Sequence, residues 1–385
     1  MEVEIGRGKK GRRAYGLDEV AIVPSRRTRD PEDVDLGWTI GEHSFDIPIL
    51  ASAMDGVVDP SIAIALGKLG GLGVLNLEGI QVRFEDPAAQ LEQIAKLPPE
   101  QATRGLQEIY QEPIKPELIV QRIKEIKAAG VIAAGSLTPQ RVERHIAEAL
   151  DAGLDILVIQ GTVVSAEHVS SSVDPLNLKS FIRGLPIPCI VGGCASYSTA
   201  LHLMRTGALG VLVGVGPGAA CTTRQVIGVG VPQATAIADA AGARMQHLLE
   251  TGKYVHVIAD GGLSFGGDLA KAIAVGADAC MIGSPIAKSA EAPGHGYHWG
   301  MATFHPELPR GTRVKVGTLG TLQEIIAGPA KENDGSLNLA GGLRGAMATC
   351  GYETIQSFQK CEVMVAPAMK TEGKKLQMAQ AVGMG

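Results

Sequence analysis

Eight short apolar runs recur along the chain, and they constrain its fold more than any other feature of the 385 residues. They are PILAS (48–52), LGVLN (72–76), VIAAG (131–135), DILVIQG (155–161), PCIVGG (188–193), GVLVGVG (210–216), VHVIADGG (255–262) and CMIGS (280–284). None alternates apolar with polar residues, so each reads as a strand buried on both faces, the pattern of a parallel sheet. Helix-like, alanine-rich stretches such as PQRVERHIAEALDAG and GGDLAKAIAVGAD lie between them. Several end in Gly just before the next run, where a helix C-cap is wanted. Eight strands alternating with helices count out to a single α/β domain over residues 1–385, a (β/α)8 TIM barrel, with a doubly wound open sheet as the alternative.

The spacing breaks twice. Residues 77–130 separate the second and third runs, where one helix needs about 20 residues. Within them, 81–118 read as a polar, proline-containing insertion too short for an ordinary domain. Residues 291–343, rich in Gly, His and Pro, read as a lid-like excursion over one face of the barrel.

Composition narrows the function. A net charge of −5 argues against a phosphate-backbone binder, and 4% aromatic residues argue against base stacking on nucleic acid. The run Thr206 to Thr223 is broken by glycines and Pro217, so it reads as strand plus loop, not as a membrane span. The basic run Arg7–Arg13 has no apolar stretch behind it, so it reads as a solvated tail and not as a secretory signal. Six cysteines without a C-x-x-C pair fit neither a zinc site nor a disulfide scaffold. A reduced, cytoplasmic protein is expected.

Barrel chemistry sits at the C-terminal ends of the strands. There the sequence places Ser52, Asp55, Asn76, Gln160, Gly192 and Gly193, the loop Gly214 to Arg224, Asp260–Gly262, and Gly283–Ser284. The loops after strands seven and eight are the usual phosphate site of this fold, and their glycines free backbone N–H groups for an anion, which points to a phosphorylated small molecule. Tight turns alone are the plainer account of either glycine motif. Cys221 sits in the densest glycine loop with Arg224 nearby, a setting for a nucleophile. A small buried hydrophobe is the other reading of any cysteine. Of the other five, Cys189 and Cys280 lie within strand runs and Cys194 opens the helix after strand five. His295, His298 and His305 suit acid–base work or a solvated loop, and the solvated loop is preferred.

The segment GVGPGAACTTRQVIGVGVPQATAIADAA closely resembles the catalytic loop of the IMP dehydrogenase and GMP reductase family. LDEVAIVPS, PILASAMDGVVDP, GGLGVLN, VIADGGLSFGGDLAKAIAVGADACMIGS, EAPG and GGLRGAMATCGYETI follow in family order. The resemblance implies a (β/α)8 barrel acting on a purine nucleoside 5′-monophosphate with NAD, assembled as a homotetramer or octamer. The insertion is too short for the family's regulatory module, so the chain is similar to the stand-alone, module-lacking branch. By the same resemblance Cys221 is the nucleophile toward purine C2 and Thr223 helps activate water or ammonia. Asp260 holds the ribose hydroxyls. Gly262, Gly283 and Ser284 hold the phosphate, and Ser52, Met54, Gly300 and Met301 line the nucleotide pocket. Gln160, Gly214 and Gly216 fall on the cofactor side. The carbonyls of Gly214, Gly216 and Cys221 match a monovalent-cation site, with K+ as the expected ion.

The chain departs from the family at several positions. Ala219 stands where a serine is usual, Gln160 where an aspartate is, and Gly193 where an asparagine is common. His298-Trp-Gly-Met-Ala302 replaces Tyr-Arg-Gly-Met-Gly, and Arg310 stands where an acidic residue or an amide contacts the base. An arginine cannot relay the proton that expulsion of ammonia requires near pH 7. The expected activity is therefore NAD-dependent oxidation of IMP to XMP, with Arg310 catalytic. NADPH-dependent GMP reduction and nucleotide binding without turnover are the alternatives.

Overall fold

The computed structural model describes residues 2–169, 175–300, 313–366 and 374–380. Its centre is a closed barrel of eight parallel strands: β1 (Ile49–Ala51), β2 (Leu72–Asn76), β3 (Ala134–Leu137), β4 (Ile156–Gln160), β5 (Cys189–Cys194), β6 (Gly210–Val213), β7 (His256–Asp260) and β8 (Ala279–Ile282). Ile282 pairs with Ala51 to close the ring. Every expected run contains a strand, although two differ in extent. The third strand begins at Ala134, three residues beyond the start of VIAAG, because Ala134 is the residue that pairs with Val74. Cys194 ends β5 and does not open a helix, because a register shift after Gly192 carries the pairing on to Val213.

The absence of alternation in the strands hides two apolar environments. Leu50, Val74, Ile156, Val158, Ile190, Leu212, Ile258 and Met281 point inward and fill the barrel interior. Their neighbours Ile49, Ala51, Leu75, Leu157, Val191, Val211 and Val257 face the helices. A hairpin of Trp38–Ile40 and His43–Phe45 closes the N-terminal end of the barrel, with Trp38 stacked on Phe45 at 5.2 Å. The chemistry is left to the opposite end.

In chain order the helices up to β8 are α1 (Pro60–Lys68), α2 (Pro87–Lys96), α3 (Pro99–Ile109), α4 (Pro116–Ala128), α5 (Val142–Asp151), α6 (Leu178–Gly184), α7 (Tyr197–Met204), α8 (Thr223–Ile227), α9 (Gln233–Thr251) and α10 (Gly266–Ala274). The insertion is largely helical: α2 and α3 occupy it and α4 begins near its end. Its prolines Pro87, Pro99 and Pro116 are first helical residues, where the missing N–H costs nothing and φ is already set. After β8 come α11 (Ser284–Ala287), the short antiparallel strands β9 (Tyr297–Trp299) and β10 (Arg313–Lys315), α12 (Leu322–Ala327) and α13 (Leu339–Thr349), which packs on α10. The basic N-terminal run forms an exposed hairpin, Glu2–Gly6 with Lys9–Arg12, and Arg12 pairs with Asp239. Among the described residues no helix is long and apolar enough to cross a membrane.

Candidate active site

The loop from Gly214 to Thr222 leaves β6 and feeds α8. Cys221 is the one exposed cysteine; the other five are buried. Its thiol donates to the Thr223 hydroxyl at 3.2 Å, and Thr223 is itself 2% exposed at the start of α8. The Cys221 amide closes a turn on the Gly218 carbonyl at 3.0 Å. Arg224 does not reach toward the thiol. Its guanidinium donates to the carbonyls of Val215 (3.3 Å) and Val231 (2.7 Å), pinning the start of the loop to the segment that follows α8. Gly216 has φ +84°, and a Cβ there would lie 2.5 Å from the Arg224 side chain, so this fastening requires glycine.

Asp260 ends β7. Burial raises its carboxyl pKa to about 7, against the opposing amide of Gln160, which donates to it at 3.1 Å. Gln160 is therefore tied to the carboxylate assigned to the ribose. Gly261 and Gly262 both have positive φ, +81° and +75°, and turn the chain against Pro217 at the apex of the cysteine loop. The Gln233 amide donates to the carbonyls of Val213 (2.7 Å) and Asp260 (3.3 Å), joining the ends of β6 and β7. A cavity of about 630 Å³ lies behind this turn, lined in part by Leu17, Arg224, Gln233, Gly262 and Lys271. Cys221 does not line it.

A second cluster surrounds the ends of β8 and β1. The Met54 methyl fills the space where a Cβ of Gly283 would sit, with Ser52 Oγ close by. Ser52 N–H donates to the Ile282 carbonyl at 2.9 Å. Ser284 Oγ lies 2.9 Å from Nε2 of His298. His298 is 2% exposed, so the solvated-loop expectation fails for it, and burial lowers its pKa to about 4. Gly300 follows β9, and among the described residues a Cβ there would meet the Ala220 carbonyl, at 3.8 Å. Met301, His305 and Arg310 lie outside the described residues.

The structure thus brings Cys221 to Thr223, Gln160 to Asp260, and Ser52, Met54, Gly283 and Ser284 together. Sequence reasoning missed the work of Gln233 and His298, and missed a buried chain beneath β9. Asp55, 1% exposed with its pKa raised by burial to about 6, accepts from the Tyr110 hydroxyl, and Tyr110 accepts from the Trp299 indole N–H at 2.9 Å. A buried acid just past a strand end was a signal for it; its partner, far away in the insertion, was not legible.

The groups expected to receive a cation and a cofactor can be tested against their surroundings. No described hydrogen bond engages the carbonyls of Gly214, Gly216 or Cys221, so their oxygens suit a monovalent cation. Thr222 Oγ1 is buried beside Cys221 with no partner among the described residues. With the bare backbone of Gly214 and Gly216 it suits a ligand laid against the loop. Gln160 fits the cofactor role less well, since its amide is committed to Asp260.

Comparison with known proteins defines the class. The profile of the IMP dehydrogenase / GMP reductase domain matches residues 14–306. An uncharacterized oxidoreductase of Mycolicibacterium smegmatis is 48% identical over 372 residues, covering 94% of this chain and 99% of that protein. The inosine-5′-monophosphate dehydrogenase of Methanocaldococcus jannaschii is 26% identical over 486 aligned residues, covering 94% of this chain and 95% of that one. A crystal structure of an IMP dehydrogenase/GMP reductase-like protein from Corynebacterium glutamicum has a TM-score of 0.90 and 44% identity, covering 94% of this chain and 97% of that chain. The chain is an oxidoreductase-class barrel and belongs to the IMP dehydrogenase / GMP reductase family. It stands in the branch without the regulatory module, whose place between β2 and β3 is taken by α2, α3 and α4.

Proposed function

We propose that this protein oxidises IMP to XMP, with NAD+ as the external hydride acceptor. The observation that carries the reading is Cys221: one exposed thiol among six, on the Thr223 hydroxyl at 3.2 Å, in a loop fastened against the Asp260 turn. The Cys221 thiolate adds to purine C2, the C2–H leaves as hydride, and a cysteine-bound thioimidate remains. Water then adds at C2, the C2–S bond breaks, and the thiol is restored as XMP departs. Thr223, which accepts the thiol's hydrogen bond, is placed to orient the attacking water; the thiol proton is released to solvent as the sulfur attacks, and one proton of the added water restores it. Asp260 anchors the ribose, and Gly262, Gly283 and Ser284 hold the phosphate, which fixes C2 over the sulfur. Bound NAD+ supplies the two-electron acceptor that no side chain provides. Arg310, a permanent cation, is assigned either to the purine carbonyl as it gains negative charge or to the attacking water, and in both roles favours oxidation over the proton relay of deamination. A homotetramer or octamer, with K+ on the three loop carbonyls, belongs to the same proposal.

Two absorbance assays test it. NADH formation with IMP and NAD+ is the expected result. NADPH consumption with GMP would replace it with the reductase, and tight purine-nucleotide binding with neither would make the chain a binding protein.

A further inference from the structure

β9 is three residues long, and its side chains point to two different tasks. Trp299 reaches into the apolar cluster formed with the insertion and donates to Tyr110 at 2.9 Å, while the ring of Tyr297 lies 4.4 Å from the Arg313 guanidinium. Gly56 abuts the strand, and a Cβ there would lie 3.0 Å from His298 Cα. Held in this way, His298 turns its Nε2 to Ser284 Oγ at 2.9 Å. Its Nδ1 is buried with no partner among the described residues.

A hydroxyl has one proton to give. If Nε2 accepts it, Ser284 cannot donate it to a ligand. If Nε2 carries its own proton and donates to Oγ, the Ser284 proton is free. We propose, resting on the purine-nucleotide reading above, that His298 is a positioning residue that sets the direction of the Ser284 hydroxyl, and that a 5′-phosphate dianion bound there favours the doubly protonated ring over the neutral Nε2–H tautomer and draws a proton from solvent onto His298. No covalent bond to the ligand forms or breaks.

The surroundings leave this imidazole free to respond. On β10, Arg313 is committed to the carbonyls of Ile94, Ala95 and Leu97, and Lys315 is exposed. Lys288 caps α11. Beyond Trp299, Asp55 and Tyr110 hold each other. Burial alone keeps the ring neutral in the free protein. A dianion on Ser284 would be a close opposite charge, which favours the protonated form.

Titration calorimetry of the full chain with IMP at pH 7.5, in buffers of different ionisation enthalpy, counts the protons. Uptake of a fraction of a proton per nucleotide is expected, growing as the pH is lowered toward 7. His298→Gln should still bind, since its amide can donate to Ser284, but without proton uptake. Binding by the wild type with no uptake, or equal uptake by His298→Gln, would overturn the proposal. Should the variant fail to fold, the His298 imidazole NMR signals of the wild type decide: a shift from neutral toward protonated on saturation supports the proposal, and an unchanged neutral ring refutes it. If IMP does not bind and another purine 5′-monophosphate does, the substrate assignment falls and the count is made with that nucleotide. If none binds, both readings fall.

Discussion

Asp260→Asn should stabilise the free protein while damaging nucleotide binding. The wild-type carboxyl is pushed from 3.8 to about 7 by burial, with one amide, from Gln160, to oppose it. A shift of about 3 pKa units corresponds to a ceiling of about 4 kcal/mol at neutral pH. Residual solvent contact at a half-buried site reduces the expected cost to about 1–2 kcal/mol. The sign follows from linkage. Between pH 4 and 7 the unfolded chain has released this proton and the folded chain retains it, so wild-type stability falls as pH rises through that window. The variant does not titrate there. Its melting temperature should match the wild type near pH 3 and exceed it at pH 8 by about 1–3 °C. Calorimetric melts across that range measure the difference. At pH 8 the same variant should bind IMP roughly 10- to 100-fold more weakly, through lost charge-assisted hydrogen bonds of about 1.5–3 kcal/mol. A melting difference independent of pH, or a variant less stable than the wild type at pH 8, would refute the reasoning.

Three further predictions rest on other parts of the structure. Iodoacetamide should label Cys221 first, because the other thiols are buried, and saturating IMP should protect it; peptide mapping with and without IMP checks both. Tyr110→Phe removes the first of the donors that oppose the burial of Asp55, leaving it the Ile80 backbone and the Asn76 amide, and leaves Trp299 without its acceptor. It should destabilise by about 1–3 kcal/mol, and by more at pH 8 than at pH 5, because Asp55 is then ionised without that donor; chemical denaturation at the two pH values measures it. Arg310→Ala should lose at least tenfold in steady-state turnover of IMP, about 1.4 kcal/mol.

The barrel was legible because a doubly buried strand admits little but apolar residues, so eight uninterrupted runs survive as a count. Where each strand stopped was not, since the register of Ala134 and Cys194 is set by the neighbouring strands. The helices of the insertion were not legible because Pro99 and Pro116 signal a break and a helix start alike. At the candidate site, Asp260, Gly283 and Ser284 could be singled out because each falls at a strand end, and Cys221 because it sits in the glycine loop after β6. The pairing of His298 with Ser284 and the role of Gln233 could not be read, because their partners, Ser284 and the ends of β6 and β7, lie on other elements.

The central claim is a covalent bond between Cys221 and the purine. Acid quenching during turnover with IMP and NAD+, followed by peptide mass mapping, tests it most directly. The account predicts a nucleotide adduct on the peptide containing Cys221, absent without NAD+ and absent from Cys221→Ala, which should still bind IMP but form no NADH. Sustained NADH formation by Cys221→Ala would contradict it.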